Sequence, residues 1–425
     1  MSLLIRSLLL VVVSLAAGTL SAAEFFFRDG DRIVMIGDSI TEQHLYSNYV
    51  EMWVTARYPK WKLTFRNVGI GGDRSTGGNT RFARDVLIHQ PTAMTVDFGM
   101  NDGGYRAFDE AGFNAYFNGL QGMADQAKKA GIRTAWCTPQ PLDGPEQGPT
   151  ALTGYNQTLE KYGDLGVKVI AEKNAGLFVD QFHPYLAVLD KARAAGPKYD
   201  RITAGDAVHP GPPGQALMAA SILKGLSLPK LVSSVEIDAA AEKVVEAVNC
   251  RATELKRAGE GLTFQRLDDA LPFFPEEAAS ILKWTPILED LNDYALKVRG
   301  LKPGNYEVRL GDAVVGKYSA EQLAAGVNLA APALAKGPIA AQVKATRTAI
   351  EVKNRYYHDR IFRGVVLVNI GILPDWLGVP MTSAEIESKR QAALAERMSK
   401  MPELDAAIRT TLEMKPHTVA IVPAK

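Results

Sequence analysis

The sequence predicts an α/β protein: a parallel sheet covered by helices on both faces, followed by a region of antiparallel strands and a terminal helix. Three observations carry this expectation. From residue 31 to about 225, short apolar runs alternate with longer amphipathic stretches, the pattern of a parallel sheet wrapped by its crossover helices. After residues 226–229 the apolar residues recur with period two between turn-forming pairs. At 425 residues the chain is also long for a single domain.

Taken in order, the first residues stand apart. Arg6 precedes an apolar run over 8–17, and the small residues Ser21, Ala22 and Ala23 follow. A charged start, an apolar centre and a small-residue exit predict an export leader over 1–23, cut near Ala23. The run is short for a bilayer span, so an uncleaved anchor is the lesser alternative and no stable membrane span is expected after cleavage. The expected location is periplasmic or extracellular.

The first region is expected over 24–228. Its strands are predicted at 33–36, 63–65, 95–98, 132–137 and 177–179, with helices at 45–58, 82–89, 113–129 and 155–172. Sites in such sheets collect at the carboxyl ends of the strands. The second region is expected over 229–425. There Tyr294, Leu296 and Val298 alternate with Ala295, Lys297 and Arg299. A turn at Pro303-Gly304-Asn305 leads to Tyr306, Val308 and Leu310, which reads as a β-hairpin. Ser319 with Gln322, and Thr382 with Glu385, have capping-box spacing. The second pair would open a helix rich in Ala, Glu, Lys and Arg that runs to about Met401.

With 47% hydrophobic and 22% charged residues, the composition is globular. The 48 basic and 47 acidic side chains include Arg6, so loss of the leader leaves the charges balanced. That removes the basic excess expected of a nucleic-acid or anionic-membrane partner and fits a neutral substrate. Cys137 and Cys250 are no disulfide framework, and no bridge is expected. His44, His89, His358 and His417 show no ligand-like clustering, so neither a metal nor a cofactor is expected.

Four short segments carry chemistry. The first predicted strand breaks into Gly37-Asp38-Ser39-Ile40-Thr41, placing a hydroxyl at the sheet's carboxyl edge. A serine is a weak nucleophile without a base. The second strand leads into Gly69-Ile70-Gly71-Gly72-Asp73-Arg74-Ser75, a loop suited to aiming backbone amides into a site. It lacks the endings of the phosphate and dinucleotide motifs. The third strand ends at Asn101-Asp102-Gly103-Gly104, which alone would read as a turn. Last comes Asp206-Ala207-Val208-His209-Pro210, whose spacing sets a carboxylate beside one ring nitrogen and leaves the other for a serine. Ser39 is not flanked by the Gly-x-Ser-x-Gly elbow of the rival serine hydrolase fold.

In this order the four segments resemble the SGNH (GDSL-like) hydrolase superfamily over roughly residues 32 to 223, about half the chain. The resemblance implies a flavodoxin-like three-layer α/β/α fold and a carboxylic ester hydrolase. Residue by residue, Ser39 matches the nucleophile and Gly72 the glycine of the second block, with the adjacent Gly71 an alternative because two glycines in a row leave the register open. Asn101 matches the asparagine of the third block, and Asp206 and His209 match the final pair. The oxyanion hole would be built from the Ser39 and Gly72 amides and the Asn101 side chain. Block one reads Gly-Asp-Ser-Ile-Thr rather than Gly-Asp-Ser-Leu.

Asp180-Gln181-Phe182-His183-Pro184 repeats the Asp-x-x-His-Pro spacing. His209 is preferred because a helix follows it and it closes the first region; His183 is left as a pocket-lining or structural residue. Arg74, Tyr105 and Arg106 flank the site loops and are candidates for holding substrate. Many exported members of the superfamily deacylate carbohydrate, so the expected substrate is a small-molecule or glycan ester carrying acetyl or another small acyl group. Lipase or thioesterase action on longer chains stays open as an alternative. So does a carbohydrate-binding role, for which Trp284, Trp376 and Arg355-Tyr356-Tyr357 would supply aromatic surface. The oligomeric state is not legible.

Overall fold

The structure is a computed structural model that describes residues 24–143, 154–196, 202, 206–367 and 383–424. The expected leader, Trp376 and Thr382 lie outside these residues. The first region runs β1 (Arg32–Gly37), α1 (Ser39–Glu42), α2 (Leu45–Arg57), β2 (Thr64–Asn67), α3 (Ser75–Asp85), β3 (Ala93–Asp97) and α4 (Glu110–Lys129). It continues through β4 (Arg133–Cys137), α5 (Tyr155–Lys161), α6 (Lys168–Lys173), β5 (Leu177–Val179), α7 (Phe182–Ala194) and α8 (Pro212–Gly225). The five strands are parallel in the order β2-β1-β3-β4-β5.

Strands buried on both faces need no polar alternation. Accordingly β1 is buried from Ile33 onward and β3 throughout. Ile33 and Met35 face one core with α2, α7 and α8, while Val34 and Ile36 face another with α3, α4 and α6. This is the flavodoxin-like three-layer arrangement expected. The strands fall close to their predicted places.

One helix is displaced from its prediction. The segment expected at 82–89 is a helix from Ser75, with a separate turn at Leu87–His89. Its first turns are glycine-rich and carry little helical signal. The start is fixed from outside instead: the Asp102 carboxylate accepts from the Ser75 N–H at 2.9 Å. Gly78 cannot bear a side chain there, because a Cβ would lie 2.7 Å from the Phe98 ring.

The second region contains β6 (Leu231–Asp238), β7 (Lys243–Val248), β8 (Cys250–Ala258), β9 (Gly261–Asp268), α9 (Ile287–Leu291), β10 (Asp293–Arg299), β11 (Asn305–Leu310) and β12 (Ala313–Ser319). After these come α10 (Ala320–Ala325), β13 (Val327–Asn328), α11 (Ala330–Ala335) and α12 (Pro338–Tyr356). The chain closes with a π-helical turn (Tyr357–Val366), α13 (Ser383–Met398), α14 (Met401–Thr411) and β14 (His417–Pro423). Two sheets form, β13-β10-β6-β7 and β12-β11-β14-β9-β8, in which every neighbour is antiparallel except the β6–β10 pair. The Ser319–Gln322 capping box is present at α10.

The expected hairpin between residues 294–298 and 306–310 does not form. β10 and β11 lie in different sheets, and the hairpin is β11–β12 around Gly311. Period-two alternation decides which face of a strand is buried but not which strand lies beside it. Gly300 makes the crossing possible at φ 78°, where an added Cβ would lie 2.8 Å from the Ala240 nitrogen.

The second region is packed into the first. One hydrophobic cluster takes in Tyr49 and Trp53 of α2 together with Val235, Leu296, Val308 and Ile421. Fully buried Lys353 of α12 donates to Glu51 of α2, and Asn354 donates to the other oxygen of that carboxylate at 2.8 Å. Arg66 of β2 meets Asp405 of α14 at 3.0 Å, with both side chains nearly buried. Cys137 and Cys250 are free, buried and in different sheets. No described helix is long and apolar enough to cross a membrane.

Candidate active site

The site forms where β1, β2 and β3 end. At Gly37 the backbone turns in a space that admits no side chain: a Cβ would sit 2.6 Å from the Asp97 carbonyl oxygen. Asp38 then caps α1, its Oδ1 accepting from the Ile40 N–H at 2.9 Å. This leaves Ser39 as the first residue of α1, half-buried at the carboxyl edge of the sheet.

His209 reaches that edge from the segment before α8. Its Nε2 lies 2.8 Å from Ser39 Oγ, and its Nδ1 lies 2.6 Å from Asp206 Oδ2. The other Asp206 oxygen accepts the Val208 and His209 N–H groups at 3.0 and 2.8 Å. Burial pushes the Asp206 carboxyl up, but the His209 and Val208 N–H groups and the imidazole together outweigh it and hold the group below the ordinary aspartate value. Gln215 of α8 ties the helix to the serine loop, accepting from the Tyr46 N–H at 2.9 Å and donating to Gln43 at 2.5 Å.

Asn101 stands between the loops after β2 and β3. Its Nδ2 donates to the Asp73 carbonyl at 3.0 Å and, weakly, to Asp38 Oδ2 at 3.4 Å, while Oδ1 accepts from Tyr105 at 2.9 Å. The longer contact is the one a developing oxyanion can displace. Of the two adjacent glycines, Gly71 donates its N–H to Glu42 Oε2 at 2.7 Å. The Gly72 N–H has no hydrogen-bond partner among the described residues, and Gly72 holds φ 72°, a conformation that favours glycine.

Two carboxyls lie beneath. Burial, and then Asp97, push Asp38 well above its ordinary value; burial lifts Asp97 to about 7 against a hydrogen bond from Gln181. Both are biased toward the neutral form, which lessens repulsion against negative charge developing at Ser39.

Among the sequence-selected residues, Ser39, Asp206, His209, Gly72, Asn101 and Tyr105 come together. Arg74 is exposed at the start of α3, and Arg106 turns to Asp109 at 3.0 Å. His183 is exposed, bonded to Asp180 at 2.8 Å and to Glu160 at 3.3 Å. In the second region Tyr357 is buried against His89, Tyr356 packs on Lys400, and Trp284 is half-buried. These rings are core and seam rather than open platform.

Sequence reasoning missed the residues that hold the loops. Nearly buried Arg81 donates to the Gly37 and Val68 carbonyls at 3.1 and 2.6 Å and to Asp73 at 2.7 Å, joining three segments of the site. Its only sequence signal, Asp85 four residues on, looks like an ordinary surface helix pair. Asp102 binds both the N–H and the hydroxyl of Ser75. Burial raises its carboxyl to about 6 despite those bonds.

A flavodoxin-order sheet with a serine and an imidazole in contact at its carboxyl edge is the architecture of an α/β acyl ester hydrolase. Residues 35–217 match the model of the GDSL-like Lipase/Acylhydrolase family. The chain thus carries a GDSL-like lipase/acylhydrolase domain and is a carboxylic ester hydrolase. Among solved structures, BT4096, a gut microbial diltiazem-metabolizing enzyme, is similar in fold with a TM-score of 0.78 at 24% identity, over 94% of this chain and 98% of its own. That likeness extends to the second region. Axe2, an acetylxylan esterase from Geobacillus stearothermophilus, is 26% identical over 47% of this chain and 94% of its own, with a TM-score of 0.39. No curated protein matches the sequence.

Proposed function

We propose that the protein removes acetyl or other small acyl groups from carbohydrate, with Ser39 as nucleophile, His209 as base and Asp206 as its orienting carboxylate. The observation that carries this reading is the unbroken chain from Asp206 through His209 to Ser39, at 2.6 and 2.8 Å. His209 Nε2 takes the Ser39 proton as Oγ attacks the ester carbonyl, and then returns it to the leaving alcohol. Water, deprotonated by the same nitrogen, attacks the acyl carbon, and the imidazolium returns that proton to Ser39 Oγ as its bond to the acyl group breaks and the acid leaves. The Ser39 and Gly72 N–H groups and the Asn101 amide face the oxyanion formed in both steps.

The preference for a small acyl group on a polar alcohol rests on the surroundings. The Asn101 amide and the exposed Tyr105 hydroxyl beside it offer hydrogen bonds to a polar alcohol. The balanced charge fits a neutral glycan. Residues 1–23 are proposed as an export leader, residues 24–228 as the catalytic part and 229–425 as its accessory region.

The test is acetate release from acetylated xylan and from a small acetyl ester by wild type and Ser39→Ala. Release by the wild type alone, higher on xylan, supports the reading. Equal release by both proteins overturns the nucleophile, and release from the small ester only overturns the carbohydrate substrate.

A further inference from the structure

Glu42 connects two segments far apart in the chain. Its Oε2 accepts the Gly71 N–H at 2.7 Å. Its Oε1 accepts from the Arg363 guanidinium, and His358 Nε2 lies 3.7 Å away, within ion-pair reach. Arg363 and His358 both belong to the π-helical turn that ends α12. Burial alone would raise the Glu42 carboxyl; His358, Arg363 and the Gly71 N–H outweigh it and hold the group at about 2. Glu42 is therefore an anion at any working pH.

The glycine loop has little freedom around this anion. A Cβ on Gly69 would lie 2.4 Å from the Glu42 nitrogen, and one on Gly71 would lie 2.9 Å from Glu42 Oε2. The loop lies flat on α1, and its one charged anchor there is the Glu42 carboxylate. The π-helical turn is itself held firmly. Tyr357 bonds His89 at 2.7 Å, Ile361 and Phe362 are buried, and Arg397 donates to the Arg360 carbonyl at 2.7 Å.

We infer that the turn over Tyr357–Val366 is a positioning element for the oxyanion loop: Arg363, with His358 beside it, fixes Glu42, which holds the Gly71 N–H and so aims the neighbouring Gly72 amide at the acyl oxygen on Ser39. Neither Arg363 nor His358 touches a reacting atom. The inference rests on the reading of Ser39 and Gly72 given above, and it assigns the second region a part in the first region's chemistry.

The experiment uses the full-length chain with p-nitrophenyl acetate, and a boronic acid whose tetrahedral adduct on Ser39 places an oxygen where the oxyanion forms. The variants are Glu42→Ala, Arg363→Ala, Arg363→Lys and the double Glu42→Ala/Arg363→Ala. Losing an oxyanion donor outright costs about 100- to 1000-fold, so mispositioning one should lower kcat by about 10- to 100-fold in Glu42→Ala and about 5- to 10-fold in Arg363→Ala. KM should stay within about twofold, and boronate affinity should fall in step with kcat. The double variant should be no slower than Glu42→Ala, since both changes act on one carboxylate, and Arg363→Lys should recover most of the loss. The Arg363 side chain is 54% exposed, so its removal should leave the fold intact.

A raised KM at unchanged kcat would make Glu42 and Arg363 substrate contacts and overturn the inference. Additive losses in the double variant, or full kcat in Arg363→Ala, would overturn it as well. Ser39→Ala separates the two readings. Activity retained there defeats the nucleophile assignment, whereas a dead Ser39→Ala beside a fully active Arg363→Ala defeats only the positioning role.

Discussion

Buried charge is handled differently in the two regions. In the second, Arg266 donates to Asp268 at 2.8 Å and to Ser233 at 2.8 Å, Tyr294 donates to Asp268 at 2.8 Å, and the guanidinium lies 3.9 Å from the Tyr294 ring centre. Every member of that cluster is buried and bonded. In the first region, the loops at the sheet's carboxyl edge keep open ends: Asp102 Oδ2 and Gln181 Oε1 are buried without a partner among the described residues. A closed network fixes one packing, while unsatisfied groups persist where another requirement holds them. Burial of a charge thus does not itself mark a site.

Substitutions can break that contrast or sharpen it. The largest effect is expected for Ser39→Ala, which should remove about 10⁶-fold of kcat while leaving the thermal midpoint close to wild type; a Michaelis–Menten series beside a melting curve checks both. Asn101→Ala should lower kcat by about 100- to 1000-fold with KM little changed, and unchanged turnover would remove Asn101 from the site.

Arg266→Leu should do the opposite. It strands Asp268 in the core and should cost about 3–5 kcal/mol in urea unfolding, with kcat of the folded fraction preserved. A large kcat loss without destabilisation would erase the distinction between the regions.

The smallest effect is on pH. Burial, and then Arg66, hold His89 at about 3; burial, and then His358, hold His44 at about 3, against an ordinary 6.5. The unfolded chain therefore binds more protons between about 3 and 6.5, so these residues contribute stability above that window that is lost as pH falls through it. His89→Gln should flatten the fall of the melting temperature between pH 7 and 4. A variant with the wild-type slope would exclude His89 as a source.

Much of the candidate site was legible because its residues sit in short, ordered segments. Ser39 and Asn101 could be placed by their spacing from an apolar strand, and Asp206 and His209 by their spacing from each other before an apolar helix, with the family resemblance supplying their roles. The parallel sheet was equally readable, since strands buried on both faces leave unbroken apolar signals. The supporting residues were not. Glu42 and Arg363 are 321 positions apart, and no local pattern records such a pairing. The start of α3 escaped because its cap comes from Asp102, 27 residues on. β10 and β11 were assigned their faces correctly but the wrong neighbours, because alternation carries no information about which edge a strand will find.

The position of β14 has a consequence for biosynthesis. Residues 417–423 lie between β11 and β9, pairing with both along most of their length. The middle of that sheet is therefore made after every other described strand. Until it arrives, β9 and β11 each present a bare edge. That sheet can close only once residues 417–423 are made and free to pair, so a chain truncated just short of residue 417 should be more exposed to chaperones and proteases than one that includes residues 417–423.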